Sequence, residues 1–220
     1  MRRLLRLALD TALAPPALLW AGTLPAAAMA VFVASWGDGA GIPTWHAWSF
    51  YEQARAIEGG VLLLVLPWVA QRALPAQSRA DHLWLAAFTG ARPSWLLLSR
   101  GGAACAAAAL TVLTATPVAL LAQRMSGGPL TRVMFDDTAW LGLAGASVVT
   151  ALWLERRICS PVAAWITNVA VLGVLAGSAW RVAPSAQAAA LIGGLAAAGL
   201  LALEMRRADR DAAPAVGDVP

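Results

Sequence analysis

Apolar residues gather into six stretches, about residues 11–36, 59–76, 101–122, 138–154, 160–180 and 188–203, with short polar breaks between them. Each is close to the ~20 residues an α-helix needs to cross a ~30 Å hydrocarbon layer. The pattern predicts an all-α fold, a polytopic membrane bundle of six transmembrane helices. Residues 1–207 then form a single transmembrane domain, and 208–220, rich in Ala, Pro, Gly and Asp, are expected to be a disordered, dispensable tail. The longest break on the outer side, Gly37–Glu58, contains an aromatic run from Trp45 to Arg55. It reads as an outer loop with a helix resting at the headgroups; a lid or a partner site is the alternative.

The arrangement of charge orients the bundle. All sixteen cationic side chains are arginine. With the N-terminus cytoplasmic, twelve of them (at the two termini and in the turns around Arg72–Arg100 and Arg156–Arg157) fall on one side of the membrane. Only Arg55, Arg124, Arg132 and Arg181 fall on the other. Positive charge is retained on the cytoplasmic face, so both termini are expected inside. Indole rings prefer the headgroup layer, and Trp36, Trp140 and Trp180 mark the predicted outer ends, Trp84, Trp95, Trp153 and Trp165 the inner ones. Trp20 and Trp68 fall deeper, as packing residues or, alternatively, on a pathway.

Composition supports this picture: 60% of the residues are hydrophobic and 13% charged, far from the quarter charged of soluble domains. The net charge of +4 is dispersed over turns and termini, so no nucleic-acid groove is expected. Cys105 lies in a span and Cys159 at a cytoplasmic span end, where disulfides are disfavoured, and neither a disulfide nor a cysteine metal site is expected. The basic start and the small residues Ala26–Ala28 and Ala30 imitate a secretion signal. Asp10 and Pro15–Pro16 interrupt its apolar core, and cleavage would place the C-terminal arginines on the wrong side.

Several functions lack their chemistry. No Asp, Glu, Lys or Arg is near a predicted midplane, where proton- or sodium-coupled carriers keep their ionisable groups. His46 and His82 lie outside the spans, leaving Ser147 without the base an intramembrane protease needs, so Ser147 reads as a packing residue. Without lysine the chain has no phosphate loop of its own. No catalytic, cofactor or metal constellation is present, and the chain is not expected to be an enzyme. Small residues at helical spacing, Gly173 with Gly177 above all, suggest close packing within the bundle, or alternatively a subunit contact. Asn168 needs a hydrogen-bond partner in hydrocarbon and reads as a helix-knitting residue. Pro25, Pro67 and Pro117 are expected to kink their spans.

The most informative segment joins spans two and three, Gln71–Arg100, on the cytoplasmic side. Ser78 or Asp81 can cap a short helix whose Leu83, Trp84, Ala87 and Phe88 form an apolar stripe, and Gly90–Ser94 breaks it before the next span. Physically this is an interfacial amphipathic helix. An acidic residue, a short apolar helix, a Thr-Gly and Pro turn, a serine, then Leu96–Leu98 and a basic residue resemble the coupling segment of type-2 ABC transporter permeases. The basic N-terminal helix Met1–Asp10, six spans with both ends inside, and the tight turn at Glu155–Arg157 are also similar to that family. Asp81 stands where members often carry Glu, and only Arg181–Gln187 join spans five and six, where many build an outer re-entrant hairpin.

The resemblance implies a permease subunit of an ATP-driven transporter, an exporter in a bacterial cytoplasmic membrane. Its partners would be a separate cytoplasmic ABC ATPase and a second permease chain, with the pathway lined by spans two and five. Asp81, Leu83, Trp84, Phe88, Gly90 and Arg92 would carry ATPase coupling; for Arg92, topology and lipid-phosphate contact is the alternative. A non-transporting membrane assembly or scaffold subunit is the second reading. The two differ in whether the coupling segment needs an ATPase.

Overall fold

The computed structural model describes residues 16–36, 49–73, 92–155, 157–158, 160–182, 197–207 and 209–210. Among them are helices and short turns and no strand. The helices are α1 (Pro16–Trp36), α2 (Phe50–Ala73), α3 (Pro93–Leu113), α4 (Thr116–Met125), α5 (Thr131–Glu155) and α6 (Pro161–Val182), followed by helical residues 197–207. Phe50–Arg72, Ser94–Met125 and Thr131–Leu154 are long and apolar enough to cross a membrane, while Trp20–Ser35 and Pro161–Gly177 are shorter apolar helices. Among the described residues the fold is all-helical and fits a membrane helix bundle. Its outward faces fit that setting: Trp20, Val31, Val162 and Val174 are all more than 60% exposed, which is unfavourable in water and natural against lipid.

Polar contacts gather at two ends of the bundle. Near the start of α2, the Tyr51 backbone N–H donates to Ser126 beyond α4, and its hydroxyl donates to Asp136 near the start of α5. At the other end Arg157, just past α5, pairs with Glu204 at 3.7 Å, and the Ser94 N–H at the start of α3 donates to Asp209 at 3.2 Å. Helices α2 and α5 therefore run in one direction, and α3 with its continuation α4 in the other. Helix α2 is the hub, packing against each of α1, α3, α4, α5 and α6.

Several boundaries differ from the hydropathy pattern. Helix α2 begins at Phe50, so Phe50–Glu58 is its first part and not a loop segment or a separate surface helix. Helix α5 begins at Thr131, ahead of the apolar stretch that starts near 138, and α3 begins at Pro93. Charged residues end an apolar stretch by composition, but a helix continues through them when its side chains find partners. Pro25 and Pro67 lie inside α1 and α2, whereas Pro117 sits in the first turn of α4, where the missing N–H has no intrahelical acceptor to lose. The break between α3 and α4 falls at Thr114–Ala115, where Thr114 Oγ1 donates to the Gly22 carbonyl of α1 at 2.8 Å. Ser94–Met125 is 32 residues, about 48 Å at 1.5 Å per residue, so α4 extends past what a ~30 Å layer requires.

Two apolar clusters form the interior. The larger, including Leu62, Leu66, Val69, Ala104, Ala108, Val148, Leu152 and Leu172, fills the middle of the bundle. The smaller, Met29, Val33, Tyr51, Ala54, Ala115, Ala119, Ala122 and Val133, joins the ends of α1, α2, α4 and α5. Along α2 and along α5 the two clusters are separated by charged residues.

Candidate functional site

The charged residues between the two clusters form a polar layer. On α2, the spacing Glu52, Arg55, Glu58 sets each residue one turn below the last on one helical face. On α5, Asp136 and Asp137 follow Val133 of the outer cluster and precede Trp140 of the central one. Arg55 is 8% exposed and bridges both helices. Its Nη1 donates to Glu58 Oε2 at 2.5 Å, and its Nη2 donates to Asp137 Oδ1 at 2.5 Å and to the Val133 carbonyl at 3.4 Å. Its Nε lies 3.9 Å from Asp136.

The other acceptors have their own donors. Asp137 Oδ2 receives the Thr116 hydroxyl of α4 at 2.7 Å, and Asp136 Oδ2 receives the Tyr51 hydroxyl at 2.7 Å. At the rim, Arg132 donates to Glu52 at 2.8 Å, and the guanidinium groups of Arg132 and Arg55 lie 5.3 and 5.8 Å from the Tyr51 ring centre. Exposure falls with depth, from Arg132 and Glu52 at 46% and 36% through Asp136 at 31% to Glu58 at 0%. Below Glu58 the layer is closed: Trp140 packs on Gly59, where a Cβ would come within 2.7 Å of the indole. Only glycine leaves room for that ring.

The buried Arg55–Asp137 ion pair ties α2 to α5, and the Thr116 hydroxyl adds α4, so breaking the pair leaves an uncompensated charge. A sequence scan assigns Arg55 and Glu58 to the outer loop and finds no ionisable group deep in a span. The structure corrects this: both are buried within α2, the 24-residue helix Phe50–Ala73. The legible signal was the three-residue spacing of Glu52, Arg55 and Glu58, together with the Asp136–Asp137 pair at the start of another apolar stretch.

Of the residues read from the sequence as candidates, Asp81, Leu83, Trp84, Phe88 and Gly90 lie outside the described residues. Arg92 is exposed and occupies the extended position just before α3, with no side-chain bond to the helix end. Asn168 is fully buried and its amide donates to the Ser147 carbonyl at 3.0 Å, joining α6 to α5. Ser147 is fully buried as well. Gly173 and Gly177 are exposed on α6, and a Cβ at either would meet nothing within 4 Å. Trp140 is 8% exposed and belongs to the core, whereas Trp95 and Trp153 are exposed and the Trp165 indole donates to the Leu64 carbonyl.

Among the described residues no group of acidic, histidine or cysteine side chains could hold a metal ion. Compared with protein-family models, curated proteins and solved structures, the chain matches none.

Proposed function

We propose that this chain is the membrane subunit of an ATP-driven transporter, an exporter of the type-2 ABC permease kind in a bacterial cytoplasmic membrane. A separate ATPase supplies the work, and a second permease chain completes the pathway. The observation that carries this reading is the position of the two helix ends that flank residues 74–91, the stretch that bears the amphipathic stripe in the sequence. Helix α2 stops at Ala73 and α3 starts at Pro93, at the end where Arg157, Arg207, Glu204 and Asp209 gather. Helices α2 and α3 pack against each other, and α2 touches every other helix from α1 to α6. A partner pressing on the connection would thus move the hub of the bundle. Asp81, Leu83, Trp84, Phe88 and Gly90 are the proposed docking residues, with Arg92 at the entry to α3.

The test is recovery of bound proteins from native membranes in mild detergent, comparing the tagged wild type with a Leu83→Asp, Phe88→Asp double variant. Stoichiometric recovery of a soluble ATPase, lost in a variant that still folds, supports the transporter reading. Recovery of membrane proteins alone rejects it in favour of a non-transporting assembly subunit. One observation favours that second reading: among the described residues nothing lies within 4 Å of where a Cβ at Gly173 or Gly177 would stand, the small-residue step on which membrane helices approach each other closely.

A further inference from the structure

Glu58 lies one turn deeper than Arg55 and is fully buried. Its Oε2 accepts from Arg55, while its Oε1, equally buried, has no hydrogen-bond partner among the described residues. The charged and titratable groups facing it come from two helices: Tyr51, Glu52 and Arg55 on α2, and Arg132, Asp136 and Asp137 on α5. Helix α4 contributes Thr116 and Gln123, which carry no charge. Arg132 is committed to Glu52 at the rim. That leaves Arg55 as one cation among three carboxylates.

These three are not equivalent. Asp137 has donors on both oxygens, Arg55 and Thr116. Asp136 accepts from Tyr51 and is 31% exposed, so water reaches it. Both thus have donors or solvent at their oxygens. Glu58 is fully buried and has no second donor among the described residues, and an ionised carboxylate placed there would bear most of the desolvation cost of the layer. A neutral carboxyl keeps the Arg55 bond through its carbonyl oxygen and removes one of the two surplus negative charges.

We propose that Glu58 is a proton-binding site, its proton held on the buried oxygen and exchanged with the outer water along the Arg55, Asp137 and Asp136 side of the layer. On release the Glu58 Oε1–H bond breaks, its electron pair stays on the carboxylate, and the proton ends on water at the Asp136 rim, where the layer is 31% exposed. Its loss adds a negative charge beside Asp137 across the joint of α2 with α5, and the two helices are pushed apart at their outer end. The bound proton therefore acts as the ligand that keeps this joint closed. The site stands apart from the ATPase-docking reading, since it lies at the opposite end of the bundle.

The full chain in phosphatidylcholine nanodiscs provides the test. Infrared spectra of the wild type at neutral pH should show a protonated-carboxyl stretch, shifted in D2O, that is lost in Glu58→Gln and retained in Asp136→Asn. In thermal melts the wild type should lose stability as pH rises, because the folded state holds a proton that the unfolded chain has released. Glu58→Gln, an amide of the same shape, should match the wild type in acid and show no such fall. A wild type with no such band at neutral pH, or a band that Glu58→Gln leaves in place, overturns the proposal. So does a Glu58→Gln chain that fails to fold or is destabilised at every pH, since that behaviour belongs to an ionised partner of Arg55.

Discussion

Replacing Arg55 by alanine removes the single guanidinium that bonds Glu58 and Asp137, both buried, and leaves their carboxyl oxygens facing each other across the α2–α5 joint. Removing one partner of a buried pair costs about 3–5 kcal/mol, because the remaining charge loses its compensation. For a chain of this size each kcal/mol moves the melting temperature by roughly 2–4 °C, so a fall of roughly 10 °C is expected. Arg132→Ala is the internal control. It also breaks an arginine–carboxylate pair, at 2.8 Å, but one whose members are 46% and 36% exposed. Exposed pairs contribute about 0–1 kcal/mol, so its melting temperature should move by less than about 3 °C. The assay is thermal unfolding in detergent, followed by size-exclusion of the surviving fraction. Arg55→Lys should fall between the two, since an ammonium cannot span both carboxylates as the planar fork does. A combined Arg55→Leu, Glu58→Leu, Asp137→Leu chain should recover part of the loss, because no charge is left stranded. Equal and small losses for Arg55→Ala and Arg132→Ala would refute the reasoning, since they would mean that water solvates Arg55 as freely as the rim.

Gly59→Ala would bring its methyl to 2.7 Å from the Trp140 ring and should cost about 1–3 kcal/mol in the same melt; Trp140→Leu in the same chain should relieve part of that. Asn168→Ala loses the interhelical bond to Ser147 but also removes a buried amide oxygen that has no partner, so its cost should stay near 0.6 kcal/mol, about the average for such bonds in membranes. For orientation, a cysteine at Gly127, in the turn after α4, should react with an impermeant thiol reagent on intact cells; one at Ser160, between α5 and α6, should react only after permeabilisation. The opposite pattern would reverse the topology assigned from arginine placement.

The sequence by itself determined the class of fold and the approximate place of its helices. Lipid imposes one solution on a backbone with no water to bond to, and that solution needs long apolar stretches that show directly in the chain. The apolar stretch near 160–180 and α6 at Pro161–Val182 nearly coincide, because no charged residue falls from Ile158 to Trp180. Asn168 was legible for the same reason, since an amide in hydrocarbon must find a partner somewhere. Its partner, Ser147, was not.

Tertiary structure alone decided the polar layer. Arg55 and Asp137 are 82 positions apart, and composition near either one reads as the edge of a span. Whether a charge ends a helix or continues inside it depends on what stands opposite, and that is set only when α2, α4 and α5 meet. The same holds for Trp140, an indole that reads from the sequence as a membrane-boundary residue until packing sets it on Gly59. The outward face of Gly173 and Gly177 is a further case, because small-residue spacing marks a face for close approach without saying whether a helix of the same chain occupies it.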